Sequence, residues 1–217
     1  MNPINWTLCL IADVGFLPPP GLYDAVRSAV SGGATMIQLR GKTCTTRRFL
    51  ELALELKKIT EESGIPLIIN DRADVAAACD AQGVHLGRDD LPLEAARRIL
   101  GKNKLIGLSV NTIEEARFAE YAGADYLGVG PAFYTTTKTD IKSVLRPEGL
   151  KIIRNSVKLP LLAIGGITEK NAAEAGASGM DGVAVISSVL KAENKKKAAG
   201  DIVEAFLRGK MMFSKSG

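Results

Sequence analysis

The chain has a single histidine, His85, among its 217 residues. Chemistry that passes protons between paired histidines is hard to assemble from it, whereas charge stabilisation by fixed cations or a metal is easier. Cysteine is scarce too. Cys9, Cys44 and Cys79 are odd in number and share no Cys-x-x-Cys spacing, which predicts a reduced, cytoplasmic protein. No apolar run approaches a membrane span. The N-terminus lacks a basic region followed by a long apolar one, so neither a membrane nor a secretory signal is expected. The formal charge is only +4, and the densest basic cluster, Lys195 to Lys197, reads as a solvated helix face or loop. No basic run is interleaved with aromatics, so nucleic acid is not an expected partner.

What is present is a core-forming composition, 46% hydrophobic and 24% charged. It predicts one compact domain over residues 1–217 with a short basic tail from about 208. Short apolar runs alternate with helical patterns throughout. Strands are predicted at Thr7–Ala12, Thr35–Arg40, Pro66–Asn70, Gly83–Leu86, Leu105–Ser109, Tyr126–Gly130, Leu161–Gly165 and Gly182–Ile186. Phe49, Leu52, Ala53, Leu56 and Ile59 form a helical stripe behind Thr45 or Thr46 as cap, and Thr112 and Glu115 have capping-box spacing. Four approaches to strands resemble one another: SGGATMIQL, DAQGVHLG, AGADYLGVG and GASGMDGVAV. Each reads as a helix end, a glycine able to close it in the left-handed region, and a buried strand. Strands apolar on both faces belong to a parallel sheet covered by helices. Eight such units in this length predict a single-domain (β/α)8 TIM barrel. A doubly wound sheet is the alternative, but no dinucleotide fingerprint follows the first strand.

In a barrel, chemistry gathers where strands exit at their C-terminal ends. Those positions offer Asp13; Gln38, Arg40 and Lys42; Asn70, Asp71 and Arg72; His85, Asp89 and Asp90; Ser109 and Asn111; Thr135, Thr136, Thr137 and Lys138; Gly165 and Gly166; Ser187 and Ser188. Gln38, Arg40 and Lys42 alternate, so a strand would line them up on one face. An interior ion pair could account for them. No other inward acid is evident along the first two strands, so an anionic ligand is the favoured explanation. Asp71 and Asp90 could each cap a helix. Together they stand at adjacent exits about 4.8 Å apart, where an oxygen-preferring cation such as Mg²⁺ would relieve their repulsion. TTTKTD could be an exposed loop and AIGGI a mere packing device, but the exits of the last two strands are the usual phosphate site of this fold. His85, inside the fourth strand, reads as a satisfied interior polar group.

These segments resemble the thiamine phosphate synthase family from the first strand to about Leu190. QLRGK, INDR, GVHLGRDDL, GLSVNT, GVGPAFYTTTKTD, AIGGIT and VAVISS are similar to that family's motifs, in order. The resemblance implies an enzyme, a transferase that joins hydroxymethylpyrimidine diphosphate to a thiazole phosphate and releases diphosphate by a dissociative, Mg²⁺-assisted route. It also implies that Gln38, Arg40, Lys42, Asn70, Ser109 and Lys138 meet the pyrimidine diphosphate. Of these, Arg40, Lys42, Ser109 and Lys138 would be catalytic. Thr135, Thr136, Thr137, Gly166, Ile186 and Ser187 would bind the thiazole phosphate, and Asp71 and Asp90 would hold Mg²⁺. The expected partners are therefore these two small molecules. The chain departs from the family pattern at Cys9, Ala12, Gly41 and Tyr134. A thiazole tautomerase of the same superfamily would not need the metal pair and diphosphate cations, and a non-catalytic precursor-binding protein would not need the full polar set. Nothing in the sequence sets an oligomeric state.

Overall fold

A computed structural model describes residues 3–135 and 144–214. Eight parallel strands close in sequence order into the expected barrel: β1 (Leu8–Asp13), β2 (Met36–Arg40), β3 (Leu67–Asn70), β4 (Gly83–Leu86), β5 (Leu105–Val110), β6 (Tyr126–Val129), β7 (Leu161–Ile164) and β8 (Gly182–Val185). The seam between β8 and β1 sets Leu8 opposite Val183. The helices are α1 (Gly21–Ser31), α2 (Thr46–Glu62), α3 (Ala73–Ala78), α4 (Leu93–Leu100), α5 (Ile113–Tyr121), α6 (Arg146–Arg154), α7 (Ala172–Ala177), α8 (Ser187–Leu190) and α9 (Lys195–Ser214). Among the described residues no helix is long and apolar enough to cross a membrane, and all three cysteines are free.

Alternation along each strand divides the apolar residues between two cores. Leu8, Leu10, Leu39, Leu67 and Ile69 face outward and bury the helix stripes, including Phe49, Leu52 and Leu56 of α2. Cys9, Ile11, Met36, Ile68, Tyr126, Leu162 and Ala184 face the barrel axis, and Trp6 closes its floor with its ring 5.1 Å from that of Tyr126. The lower half of the barrel is thus a mainly apolar plug, and the charged side chains of the inner face gather at the upper rim.

The four similar approaches share a physical device. In each, a residue in the left-handed region ends a helix: Gly33, Asp80, Gly123 and Gly179. The next N–H reaches back five residues to a helix carbonyl, from Ala34 to Ala29 (2.9 Å), Ala81 to Ala76 (2.9 Å), Ala124 to Ala119 (3.0 Å) and Met180 to Ala175 (3.4 Å), the Schellman pattern. The following side chain then accepts a backbone N–H near the start of the preceding strand. Thr35 takes that of Leu8 (3.0 Å), Gln82 that of Leu67 (2.9 Å), Asp125 that of Ile106 (2.7 Å) and Asp181 that of Leu161 (3.0 Å). In the second approach the left-handed residue is Asp80, not the expected glycine. Gly83 is glycine for another reason, because a Cβ there would lie 2.2 Å from the Leu105 carbonyl oxygen.

Thr45 caps α2 by accepting from Arg48 N–H (3.4 Å), and Thr112 caps α5 by accepting from Glu115 N–H (3.2 Å). The capping box is displaced by one residue, since the Glu115 carboxylate accepts from Asn111 N–H (2.8 Å) rather than from Thr112. The basic stretch from 208 to 214, expected as a tail, is the last part of α9. Lys210 Nζ anchors it by donating to the Met180 carbonyl at 2.6 Å and to Asp181 at 3.1 Å.

Candidate active site

The inward positions change character toward the strand exits. Above Cys9 and Ile11 on β1 comes Asp13; above Met36 on β2 come Gln38 and Arg40; above Ile68 on β3 comes Asn70. The register sets Asp13 opposite Arg40 and Asn70 opposite His85. Gln38, Arg40, Asn70 and Ser109 therefore converge on one rim, as the alternation predicts.

Asp13 corrects one expectation. β1 runs one residue beyond the predicted Ala12, and that residue places a buried carboxylate on the inner face. Asp13 Oδ2 pairs with Arg40 Nη1, and Asp13 Oδ1 accepts the Gly15 N–H at 2.8 Å. An inward acid does exist on the first two strands. Arg40 is thus held by an interior ion pair, and any ligand it meets engages its remaining donors. Lys42 lies past the strand end, half exposed, with Nζ 2.5 Å from Asp71 Oδ2.

Asp71 and Asp90 converge as expected, and neither caps a helix. The N-cap residues of α3 and α4 are Arg72 and Pro92, without side-chain cap bonds. Asp71 has φ +66° in a three-residue turn closed by Arg72 N–H to Asn70 C=O (2.8 Å), and its own N–H donates to His85 C=O (2.8 Å). A non-glycine residue rarely adopts this conformation, which places the carboxylate over the rim at a cost in strain. Asp90 Oδ2 accepts the Gly87 N–H at 2.7 Å. Burial, reinforced by a hydrogen bond to Asp90 and its charge, holds the Asp71 carboxyl above the usual range despite Lys42. Burial also acts to raise Asp90. Hydrogen bonds from Asp71 and Gly87, with the charge of Lys42, outweigh it and leave Asp90 below the usual range. Two carboxyls brought together this way fit a hard cation, which uses one or two carboxylates plus phosphate oxygens. Among the described residues no third acidic, histidine or cysteine ligand joins them.

Ser109 is exposed at the rim, and its Oγ lies 2.9 Å from His85 Nε2. The interior histidine is satisfied, as expected, but by a proposed site residue. At the opposite side of the rim, Ile186 is the N-cap of α8 and Ser187 its first residue. Ser188 Oγ is buried there with no hydrogen-bond partner among the described residues. An orphan hydroxyl at this exit fits an oxyanion acceptor. Thr135 lies on the loop after β6; Thr136, Thr137 and Lys138 lie outside the described residues.

Gly165 and Gly166 have φ of +95° and +68°, and a Cβ at Gly166 would lie 2.3 Å from the Tyr134 carbonyl oxygen. The glycine requirement thus comes from the neighbouring loop backbone, which donates Phe133 N–H to Gly165 C=O at 3.0 Å. Gly166→Val is expected to destabilise the fold by at least ~1–3 kcal/mol, visible as a lower midpoint in thermal unfolding. An unchanged midpoint would show that the loop yields and that the fold does not require glycine at position 166.

A closed parallel barrel with its cations, paired carboxylates and an orphan hydroxyl gathered at the strand exits has the form of a (β/α)8-barrel enzyme. The chain belongs to the thiamine monophosphate synthase family, whose model matches residues 8–189. It is 46% identical over 196 residues to the thiamine-phosphate synthase of Chloroflexus aurantiacus, covering 90% of each chain. It is 49% identical over 199 residues to that of Clostridium acetobutylicum, covering 92% of this chain and 94% of the relative. The solved structure of a thiamine phosphate pyrophosphorylase from Pyrococcus furiosus superposes with a TM-score of 0.86 at 42% identity, over 95% of this chain and 98% of that one.

Proposed function

We propose that this chain is a thiamine-phosphate synthase that condenses hydroxymethylpyrimidine diphosphate with a thiazole phosphate. The observation that carries the reading is the meeting of the Asp71–Asp90 pair with Lys42 and Arg40 on one rim. In the proposed reaction the C–O bond to diphosphate breaks, both electrons leave with the diphosphate, and a methylene carbocation remains on the pyrimidine. The thiazole nitrogen then gives its lone pair to that carbon. Such a step asks for stabilised leaving-group charge rather than a strong base. Arg40, Lys42 and Lys138 face that charge in this reading, with Gln38, Asn70 and Ser109 orienting the substrate. Asp71 and Asp90 would hold Mg²⁺, which when bound neutralises phosphate oxygens. Ile186, Ser187 and Gly166, with Thr135, Thr136 and Thr137, would take the thiazole phosphate. Reduced cysteines suit a cytoplasmic setting.

The deciding assay mixes purified protein with both substrates, with and without Mg²⁺, and follows thiamine phosphate. Product that depends on both substrates and on Mg²⁺ is expected; its absence would remove the reading. Ser187→Ala is expected to raise KM for the thiazole phosphate by about tenfold, the scale of one hydrogen bond to a charged group, with KM for the pyrimidine little changed. Equal effects on both substrates would dissolve this division of the site.

A further inference from the structure

Tyr126, His85 and Ser109 form a hydrogen-bonded chain from the buried floor of the barrel to its open rim. Tyr126 Oη lies 3.1 Å from His85 Nδ1, and His85 Nε2 lies 2.9 Å from Ser109 Oγ. Two inward glycines make room for the rings. A Cβ at Gly107 would lie 2.2 Å from Tyr126 Cζ, and one at Gly128 would lie 3.0 Å from His85 Cε1. Tyr126 is fully buried, and that burial keeps its phenol protonated.

A buried O–H must find an acceptor. Among the described residues the one hydrogen-bond partner of Tyr126 Oη is His85 Nδ1, so the phenol donates to it. Nδ1 is then the unprotonated ring nitrogen, and Nε2 carries the hydrogen and donates to Ser109 Oγ. Ser109 Oγ has no second partner among the described residues, which leaves its own hydrogen for a ligand at the rim. The opposite tautomer would strand the Tyr126 hydrogen in the apolar floor and turn the Ser109 hydrogen inward. Ser109 would then present lone pairs to the ligand, and these repel an anion. The tautomer follows from Tyr126 and Ser109, whatever else His85 meets.

We propose that Tyr126 and His85 are positioning residues that hold Ser109 as a hydrogen-bond donor toward an anionic oxygen. The identity of that oxygen, on the diphosphate-bearing substrate, rests on the proposed function; the polarity of the chain does not. Because the chain has one histidine, ¹⁵N NMR of histidine-labelled protein reads His85 without overlap. The Nε2–H tautomer is expected in the unsubstituted protein and a mixture in Tyr126→Phe. A Nδ1–H tautomer or an imidazolium in the unsubstituted protein would overturn the proposal, even if the variant failed to fold. In steady-state kinetics Tyr126→Phe should lower kcat about tenfold, the scale of one hydrogen bond, with thiazole KM unchanged. In a Ser109→Ala background the same substitution should change kcat by less than about twofold, because its effect runs through that hydroxyl. Independent, multiplying losses would show that Tyr126 acts on the barrel at large and would sink the positioning role. Absence of turnover in the unsubstituted protein would remove the diphosphate as acceptor, while the spectrum would still decide the tautomer.

Discussion

Asp71→Asn is expected to lower turnover by roughly 100-fold or more, the scale of losing metal-based charge stabilisation, while the protein stays folded. Asparagine tolerates positive φ at least as well as aspartate, so the turn that aims residue 71 over the rim survives the change. The electrostatic sign also favours survival. Burial and Asp90 raise the Asp71 carboxyl above its ordinary value, so the native chain holds that proton more tightly than the unfolded chain does. Stability from this group therefore increases as pH falls through the raised native value and is lost above it. At neutral pH without Mg²⁺ the neutral amide should match or exceed the unsubstituted protein in thermal midpoint. Added Mg²⁺ should raise the midpoint of the unsubstituted protein, because it binds the native state, but not that of Asp71→Asn or Asp90→Asn. If either variant kept normal turnover, or gained as much stability from Mg²⁺, the carboxylate pair would not be the metal site.

The cations should separate under the same measurements. Lys42→Ala and Lys138→Ala are each expected to lower kcat about 100-fold, the typical loss on removing one preorganised contact to developing charge. The effect should fall on turnover more than on KM, since charge on the leaving diphosphate peaks in the transition state. Lys42 is half exposed, so its removal should leave the thermal midpoint close to normal. Arg40→Ala differs because it strands the buried Asp13 carboxylate without its partner. Breaking a buried pair typically costs ~3–5 kcal/mol, so this variant should lose both rate and stability. The double variant Asp13→Asn/Arg40→Ala should recover much of the stability and none of the rate. Single-turnover kinetics beside thermal unfolding reads both quantities. An unchanged chemical step in well-folded Lys42→Ala and Lys138→Ala would remove these residues from the mechanism, and recovery of rate in the double variant would do the same for Arg40.

The barrel was legible because its causes are local and repeated. Period-two alternation in the apolar runs, helical stripes between them and four similar strand approaches are each carried by a few adjacent residues. Most of the rim was legible for the same reason. Once a strand is placed, Gln38, Arg40, Asn70 and Ser109 are assigned to its inner face by parity. Asp13 was legible as a strand exit but not as the inward partner of Arg40, because that decision turned on a single residue at the end of β1, and strand ends are set by pairing rather than by pattern. Extending that strand to keep step with Arg40 would have found it. The capping explanation for Asp71 and Asp90 could not be dismissed from sequence, because an Asp before a helix has the same spacing whether or not it bonds the helix N–H groups.

By itself, the order of residues determined that eight strand–helix units would bury two apolar layers and leave polar groups at one set of strand ends. Only the tertiary structure decided which of those groups touch. That Asp13 holds Arg40, that Asp71 leans on Asp90 through a left-handed turn, that Gly166 is small for the sake of the Tyr134 carbonyl, and that Tyr126 polarises Ser109 through His85 are all contacts between different βα units. Their partners lie from 19 to more than 40 residues apart in the chain, and barrel closure alone brings them within hydrogen-bonding range. Side-chain direction within a strand is a property of the chain. Distance across the rim is a property of the closed sheet.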